Sequence, residues 1–300
     1  MKIIDAHMHY FATEGFNQLA RAIGDVNTVA GYEKVCRDNG VVFSVAMGNS
    51  YEAGPRFGGV MPRLINLGGR FKMQPYNQPE NIGYCLGVDS ENMTEENAEK
   101  TAQEFEYYLQ HDPHCLGIKF YMGYNLVYLN DKRHQPLFEL AAQYDVPVAM
   151  HSGETAGGHG QLKYAHPLTV DEAASEHPDV KFVICHLGNP WIQDTVAVAC
   201  KNENVYLDLS GLLEGYVTPA QEERQAEYFD FIRMWLKYLN NWDKIMYGSD
   251  WPLVKIQDNI RVLGHLVPQE HHEQFFYRNA LNVYDRMQKL LPPDVLAEEV

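Results

Sequence analysis

Short apolar runs recur along the whole chain, and a polar or glycine-rich stretch follows each of them. The runs are apolar at successive positions and rich in β-branched residues, which is typical of parallel strands buried on both faces. Eight segments show this pattern: 3–4, 41–45, 84–88, 116–120, 146–150, 182–185, 205–209 and 245–247.

Longer amphipathic segments separate most of these runs and predict helices. The clearest covers 95–110, where an acidic first turn follows Thr94 as the expected N-cap. The others cover 135–144, 169–176, 191–201, 219–239 and 273–284. Strands that alternate with helices indicate βαβ units and a parallel sheet, and about eight such units close a TIM barrel.

The predicted fold is therefore α/β, with residues 1–300 forming one (β/α)8 TIM barrel domain. A doubly wound open sheet is the alternative, but it usually has a glycine-rich phosphate turn after its first strand, where this chain has His7-Met8-His9. The connection at about 48–81 is unusually long and rich in glycine and proline. We expect it to be a loop over the substrate at the barrel mouth.

Histidine and aspartate residues fall at the ends of the predicted strands. His7 and His9 follow the first strand, His151 the fifth, His186 the sixth and Asp250 the eighth. In a barrel these ends converge on one mouth. Imidazoles together with a carboxylate are ligands that Zn²⁺, Mn²⁺ or Fe²⁺ select, so the pattern predicts a metal site. Surface or capping roles are expected for the other histidines: His111, His114, His134, His159, His166, His177, His265, His271 and His272.

Other residues near the predicted mouth are candidates for substrate contact. Lys119 interrupts an apolar strand, and we expect it to face the mouth because an unpaired buried ammonium is costly. Arg56 and Arg63 in the long loop are candidate carboxylate clamps, or a solvated loop face. Further candidates follow strand ends: Tyr121, Tyr124, Tyr128, Glu154, Trp191 and Trp251.

The charge and the cysteine content restrict which binding partners and which cellular location are expected. The sequence has 24 Lys and Arg against 40 Asp and Glu, a net charge of −16. This argues against nucleic acid and against an anionic membrane, because both need a basic face. There is no apolar run near the ~20 residues of a membrane span and no signal-peptide pattern. Five cysteines without metal-motif spacing predict buried free thiols in a cytoplasmic protein; a homo-oligomer stays open, because barrels of this type often associate.

Four motifs together resemble the amidohydrolase superfamily, in the branch of metal-dependent hydrolases that includes the aminocarboxymuconate-semialdehyde decarboxylase type. The motifs are 4–9 (IDAHMH), 150–153 (MHSG), 185–188 (CHLG) and 247–252 (YGSDWP), and the resemblance extends over nearly the whole chain. It implies a TIM barrel with one or two divalent metals. By position, His7, His9 and His151 would be metal ligands, Asp250 a ligand or the proton acceptor, and His186 a base or an electrophile.

The resemblance makes the state of Lys119 decisive for the number of metals. In binuclear relatives a lysine at about this strand carries a CO₂ adduct that bridges two ions, whereas in mononuclear relatives that bridge is absent. We expect one ion, Zn²⁺ before Mn²⁺ or Fe²⁺, and an unmodified Lys119; a second ion would require its carboxylation.

Two reactions suit such a site. The first hypothesis is hydrolysis of a small ester, lactone or amide, in which Asp250 takes a proton from water and His186 polarises the carbonyl. The second is non-oxidative decarboxylation of an aromatic or unsaturated carboxylic acid at the same site. The third is metal binding without catalysis. For His186 alone, a structural histidine bonded to a backbone carbonyl is the alternative.

Overall fold

The apolar runs form the strands of a parallel barrel. The computed structural model of the protein describes residues 1–9, 14–48, 80–156, 158 and 160–297. Within these residues, eight parallel strands pair in chain order: β1 (Ile3–Met8), β2 (Val41–Met47), β3 (Ile82–Gly87), β4 (Cys115–Phe120), β5 (Val148–Met150), β6 (Phe182–Ile184), β7 (Val205–Asp208) and β8 (Ile245–Met246). Ala6 N donates to the Tyr247 carbonyl at 3.0 Å, so backbone hydrogen bonds also join the last strand region to the first. The chain is a (β/α)8 TIM barrel, as predicted.

Helices follow the strands along the chain. They are α1 (Glu14–Ala22), α2 (Val29–Asn39), α3 (Ala98–His111), α4 (Gln135–Tyr144), α5 (Leu168–Glu176), α6 (Ile192–Lys201), α7 (Pro219–Arg224), α8 (Ala226–Leu239), α9 (Ile256–Gly264), α10 (Asn279–Val283) and α11 (Pro293–Leu296). A π-helical segment, Gln274–Arg278, precedes α10. One residue joins α2 to β2: Gly40, at φ 72°, ends α2 in the left-handed conformation that glycine adopts without strain.

The predicted helices are confirmed with local differences. Helix α4 has the predicted bounds. Helix α3 begins at Ala98, so Thr94 is not its N-cap; Asn97 holds that position, and Thr94 Oγ1 accepts from Asn97 N at 3.3 Å in the preceding turn. The segment predicted as one helix over 219–239 is two helices that meet at Gln225.

Two apolar layers hold the barrel together. Alternate strand residues point outwards to the helices, as Ile3 does, or into the barrel, as Ile4 does. Tyr284 from the C-terminal segment joins the interior cluster, and Lys2 Nζ donates to the Val295 carbonyl at 2.9 Å. Because Lys2 lies at the start of β1, this segment covers the amino end of the barrel. Each fully buried large apolar side chain contributes about 1.5–3 kcal/mol.

Some expectations about single residues are wrong or lie outside the described residues. Cys200 is exposed, whereas the other four free cysteines are buried as predicted. His134, expected at the surface, is fully buried, and its Nδ1 lies 2.9 Å from the Leu129 carbonyl. The long loop predicted at 48–81 falls almost entirely outside the described residues, as does His159. Among the described helices, none is long and apolar enough to cross a membrane.

Candidate metal centre

The carboxyl ends of β1 and β8 bring three predicted residues together. Asp250 Oδ1 lies 3.1 Å from His9 Nε2 and 3.6 Å from His7 Nε2. The His7 carbonyl accepts hydrogen bonds from Ser249 N at 3.1 Å and from Asp250 N at 2.8 Å. These bonds hold the loop after β8 against the end of β1, and Asp250 takes the left-handed conformation at φ 65°. One ligand atom from each of His7, His9 and Asp250 can lie within 4.8 Å of the others.

This trio fits a divalent cation. His7 Nε2 is buried and makes no hydrogen bond within the part of the chain that the structure describes. Leaving a buried polar atom unsatisfied costs about 1–3 kcal/mol, and a metal ion beside Asp250 would satisfy it. Two imidazoles and a carboxylate are a donor set for Zn²⁺, Mn²⁺ or Fe²⁺.

His151 lies in the same cavity but outside this trio. It follows β5 and is buried, with its ring centroid 4.9 Å from that of His186 and 4.8 Å from that of Tyr124. Its Nε2 lies 3.2 Å from the carbonyl oxygen of Glu154. The structure therefore places His151 beside the trio, and its role as a further ligand stays a prediction.

Asp208 is a site residue that the sequence prediction missed. It is fully buried at the end of β7, and its Oδ2 lies 3.0 Å from His7 Nδ1. Its Oδ1 accepts hydrogen bonds from His186 N and Ser210 N, both at 3.1 Å, and from Ser210 Oγ. The available signal was a carboxylate that interrupts an apolar strand at its carboxyl end, the same signal that singled out Lys119.

These contacts determine which nitrogen of each imidazole carries the proton. An ionised carboxylate only accepts hydrogen bonds, so His7 Nδ1 donates to Asp208 and Ser210 Oγ gives its one proton to Asp208. Ser210 Oγ also lies 2.9 Å from His186 Nδ1, and with its proton committed it accepts from His186. Both imidazoles therefore keep the lone pair on Nε2.

A glycine makes room for the His186 ring. Gly211 has φ +64°, and a Cβ at this position would lie 2.5 Å from His186 Nδ1. A side chain there would collide with the imidazole and strain the backbone. The small residue after Ser210 thus allows the ring to approach the loop that follows β7.

Burial sets the protonation of the site. It lowers the pKa of His7 to about 3, with the nearby Lys119 charge acting in the same direction. Burial likewise lowers the pKa of His151 and of His186 below the usual histidine value. For Asp250 burial opposes ionisation, but its interactions with His9, His186 and His7 together outweigh burial and hold the pKa below its usual range. At neutral pH His7, His151 and His186 are therefore neutral imidazoles beside an ionised Asp250, and metal binding requires neutral imidazole and ionised carboxylate ligands.

Lys119 provides a positive charge in the same cavity. It is 1% exposed at the end of β4, and its Nζ lies 2.9 Å from Cys185 Sγ and 5.4 Å from the ring centroid of Tyr121. No carboxylate forms an ion pair with Lys119 among the described residues. The ammonium group can therefore bind an anionic part of a substrate.

The cavity around these groups has a volume of about 720 Å³. Its polar residues include His7, His9, Lys119, His151, His186 and Asp250, and its apolar wall includes Phe16, Leu19, Tyr121, Tyr124, Leu212 and Leu213. Glu154 also lines it, and its contact with a substrate stays a prediction. This volume suits a small molecule rather than a polymer segment.

Trp251 is not a wall of this cavity, contrary to the prediction. It is fully buried, its Nε1 donates to Asp25 Oδ2 at 3.1 Å, and its ring centroid lies 4.7 Å from that of Tyr32. The side chain points away from the mouth because Asp250, the residue before it, uses the inward position. Tyr128 is 43% exposed and packs on Tyr164.

Three further residues predicted near the mouth are Trp191, Arg56 and Arg63. Trp191 packs its ring on His166, with the centroids 4.6 Å apart. Arg56 and Arg63 lie outside the described residues.

A parallel eight-stranded barrel with histidines and an aspartate at its carboxyl mouth is the architecture of a TIM-barrel metalloenzyme. The sequence model of the amidohydrolase family matches residues 90–286. The chain belongs to the amidohydrolase family of enzymes. Members of this superfamily bind divalent metal ions.

Solved structures with low sequence identity share the fold. An uncharacterized TIM-barrel protein from Bordetella bronchiseptica is 18% identical, with a TM-score of 0.65, and the match covers 96% of this chain and 100% of that chain. A probable 2-pyrone-4,6-dicarboxylic acid hydrolase from Acinetobacter baumannii, with citric acid bound, is 18% identical, with a TM-score of 0.59 and coverage of 95% and 100%.

A third structure is a decarboxylase. It is 5-carboxyvanillate decarboxylase from Novosphingobium aromaticivorans, complexed with manganese and 4-hydroxy-3-methoxy-5-nitrobenzoic acid. It is 12% identical, with a TM-score of 0.59 and coverage of 95% and 96%. No curated protein matches the chain.

Proposed function

We propose that the protein is a metal-dependent hydrolase of a small carbonyl substrate: an ester, a lactone or an amide. His7, His9 and Asp250 would hold one divalent ion, most simply Zn²⁺, with His151 as a further ligand and Mn²⁺ or Fe²⁺ as the other candidates. When bound, such an ion supplies Lewis-acid polarisation of a carbonyl and makes water more acidic.

The observation that carries the proposal is the chain of hydrogen bonds from Asp208 through Ser210 to His186. This chain commits the Nδ1 proton of His186 to Ser210 and leaves its Nε2 as an acceptor. Hydrolysis requires such an acceptor, because the attacking water must lose a proton. Asp250, ionised beside His7 and His9, is the second acceptor and is adjacent to the proposed ion site.

The side chains would divide the reaction between them. Asp250 takes a proton from water as the water oxygen bonds to the carbonyl carbon. It then delivers that proton to the leaving oxygen or nitrogen as the bond between this atom and the carbonyl carbon breaks. His186 accepts a hydrogen bond that orients the water. Lys119 donates to an anionic group of the substrate, and Tyr121 and Tyr124 pack against its apolar part.

Decarboxylation is the second candidate, and the site offers one specific observation in its favour. The aromatic wall of Tyr121 and Tyr124 faces a buried ammonium at Lys119, which would suit an aromatic carboxylate. A carboxy-lyase must protonate a carbon atom, however, and the described hydrogen bonds leave His186 and Asp250 as proton acceptors. We therefore place hydrolysis first.

A substrate panel separates the two reactions. Metal-loaded protein is incubated with lactones and simple esters and, separately, with hydroxybenzoates, while acid release and CO₂ release are followed. We expect acid release from the first group. CO₂ release alone would replace the hydrolase by the carboxy-lyase, and turnover of neither group would leave only the family assignment.

The substrate is a small molecule, with neither nucleic acid nor membrane as a partner. The free thiols suit the reducing, cytoplasmic location predicted from the sequence.

A further inference from the structure

The outer helix α8 has apolar side chains on two opposite sides. Its inner side is built from Phe229, Ile232, Leu236 and Leu239, all buried, and the helix packs against α6. Its outer side carries Phe231, Met234 and Tyr238, which are 41%, 54% and 69% exposed. The outer side of a helix on a globular protein is normally polar, so this second apolar side needs a separate explanation.

The spacing of the exposed residues is that of a helix-pairing surface. Glu227, Phe231, Met234 and Tyr238 follow one another at intervals of four, three and four residues. This is the a/d spacing with which two helices pack side chain into gap. We call these four residues the α8 seam.

Charges beside the seam define the direction of pairing. Asp230 and Lys237 are both exposed, lie seven residues apart and therefore flank the same edge of the seam. If two copies of α8 cross in opposite directions, Asp230 of each copy lies next to Lys237 of the other. In a parallel pair, the twofold axis would place this edge of the two copies on opposite sides of the interface, so that Asp230 and Lys237 would not face each other.

We propose that the α8 seam is the interface of a homodimer in which two copies of α8 pack antiparallel about a twofold axis. The axis passes between residues 232 and 233, so Phe231 of one copy meets Met234 of the other, and Glu227 meets the Tyr238 hydroxyl. A single patch that complements itself in this way is the requirement for a closed twofold dimer. This interface does not depend on the proposed function.

The surroundings of the seam favour a second copy over a membrane. Exposed acids, Glu223, Glu227 and Asp230, lie on and beside it, and a bilayer with anionic lipids would repel them. The 14-residue helix is about 21 Å long, so the seam alone is a small interface. A groove of about 290 Å³ beside it, lined in part by Arg233, Val262 and Leu266, extends the surface. We therefore expect a dimer that dissociates on dilution.

Sedimentation velocity across a concentration series tests the interface. The wild type should shift from 34.3 kDa towards twice that mass as its concentration rises. Lys237→Glu and Asp230→Lys should each weaken dimerisation about tenfold, because each change replaces two attractive pairs by two repulsive ones. The double variant with both changes should recover most of the wild-type affinity.

Recovery in the double variant distinguishes contact between copies from an effect within one helix. Asp230 and Lys237 are about 10 Å apart along their own helix, and Asp230 pairs with Arg233 in its own chain, a contact that the double variant does not restore. Met234→Asp should give a monomer. Lys100→Glu, the same charge change on the exposed side of α3, is the matched control and should not alter dimerisation.

Three results would overturn the proposal. One is a wild type that stays monomeric at every concentration, and another is a dimer that responds to none of the α8 variants. The third is a monomer that binds anionic vesicles through α8. Circular dichroism of each variant verifies that these surface changes leave the fold intact.

Discussion

Ser210 Oγ lies 2.9 Å from His186 Nδ1 while it donates its proton to the carboxylate of Asp208. Because the Ser210 proton is given to Asp208, the Ser210 oxygen accepts the Nδ1 proton of His186. The Nε2 atom of His186, whose ring lines the cavity, is then left as a hydrogen-bond acceptor. Ser210 is not among the described residues that line the cavity, so it is a positioning residue in the proposed reaction.

Replacing Ser210 by alanine should release the His186 tautomer. We expect kcat to fall about 10- to 100-fold, as for other residues that orient a catalytic histidine. In metal-free protein, long-range ¹H–¹⁵N spectra should show His186 moving from the Nδ1-protonated form to a mixture of tautomers. Ser44→Ala is the matched control, because Ser44 is also buried but its Oγ pairs with the Tyr32 hydroxyl, outside the cavity lining. An unchanged His186 tautomer in Ser210→Ala would remove this role.

The combined His7→Ala and His9→Ala variant should contain no tightly bound metal. It retains Asp250 and, beside the trio, His151, and these two side chains alone bind a divalent ion weakly. Mass-spectrometric metal analysis after dialysis measures the content directly, and chelator should lower the melting temperature of the wild type but not of the variant. His111→Ala, on the exposed side of α3, is the control. A double variant with wild-type metal content would refute the ligand assignment.

Asp250→Asn should abolish turnover while much of the metal stays bound. Asparagine keeps an oxygen ligand and tolerates the left-handed backbone at this position, but it cannot take a proton. We expect a loss of about 10²- to 10⁴-fold in kcat, measured together with the metal content of the same sample. A rate close to that of the wild type would show that another group carries the proton.

Lys119→Met should leave one metal per chain and raise KM selectively. Methionine fills a similar space without the charge, so anionic substrates should lose about tenfold in affinity and neutral ones little. Mass spectrometry of the wild-type chain should show no CO₂ adduct on Lys119. Two ions per chain that are both lost in Lys119→Ala would instead establish a binuclear site.

His134 should make the protein less stable in acid. Burial lowers its pKa from 6.5 to about 4, so the unfolded chain binds more protons between these values. The stability that neutral His134 contributes is complete above pH 6.5 and is lost as the pH falls through about 4. This loss amounts to about 3 kcal/mol.

The His134→Gln variant isolates that contribution. Its free energy of unfolding, measured by urea titration at several pH values, should fall less than that of the wild type between neutral pH and pH 4. Other buried histidines act in the same direction, so the difference between the two proteins is the informative quantity. His111→Gln serves as the exposed control, and equal pH dependence in His134→Gln and the wild type would contradict the prediction.

The strand pattern was predictable because the strands are buried on both faces, so their sequences are mostly apolar at successive positions. Polar residues at the strand ends were predictable for the same reason: His7 and Asp250 stand out where an apolar run stops. Asp208 lies inside its run and was missed, because a buried carboxylate can be explained only once its partners His7 and Ser210 are known.

The direction in which a side chain points was less predictable than the strand end at which the residue lies. Trp251 follows Asp250 directly, but the left-handed backbone at Asp250 sends the indole towards Asp25 and Tyr32. The sequence around His134 is polar and indicates a surface position. The tertiary contacts with Phe120 and Phe138 that bury it leave no periodic signal.

The candidate ligands are far apart along the chain. His7 and His9 precede Asp250 by more than 240 residues, so the two imidazoles leave the ribosome well before the carboxylate. A nascent or truncated chain that lacks β8 has the imidazole pair without its carboxylate and without the loop that His7 holds in place. A chain without β8 should therefore not hold the proposed ion tightly. In a cell that limits free metal, such an unfinished chain would be both metal-free and inactive.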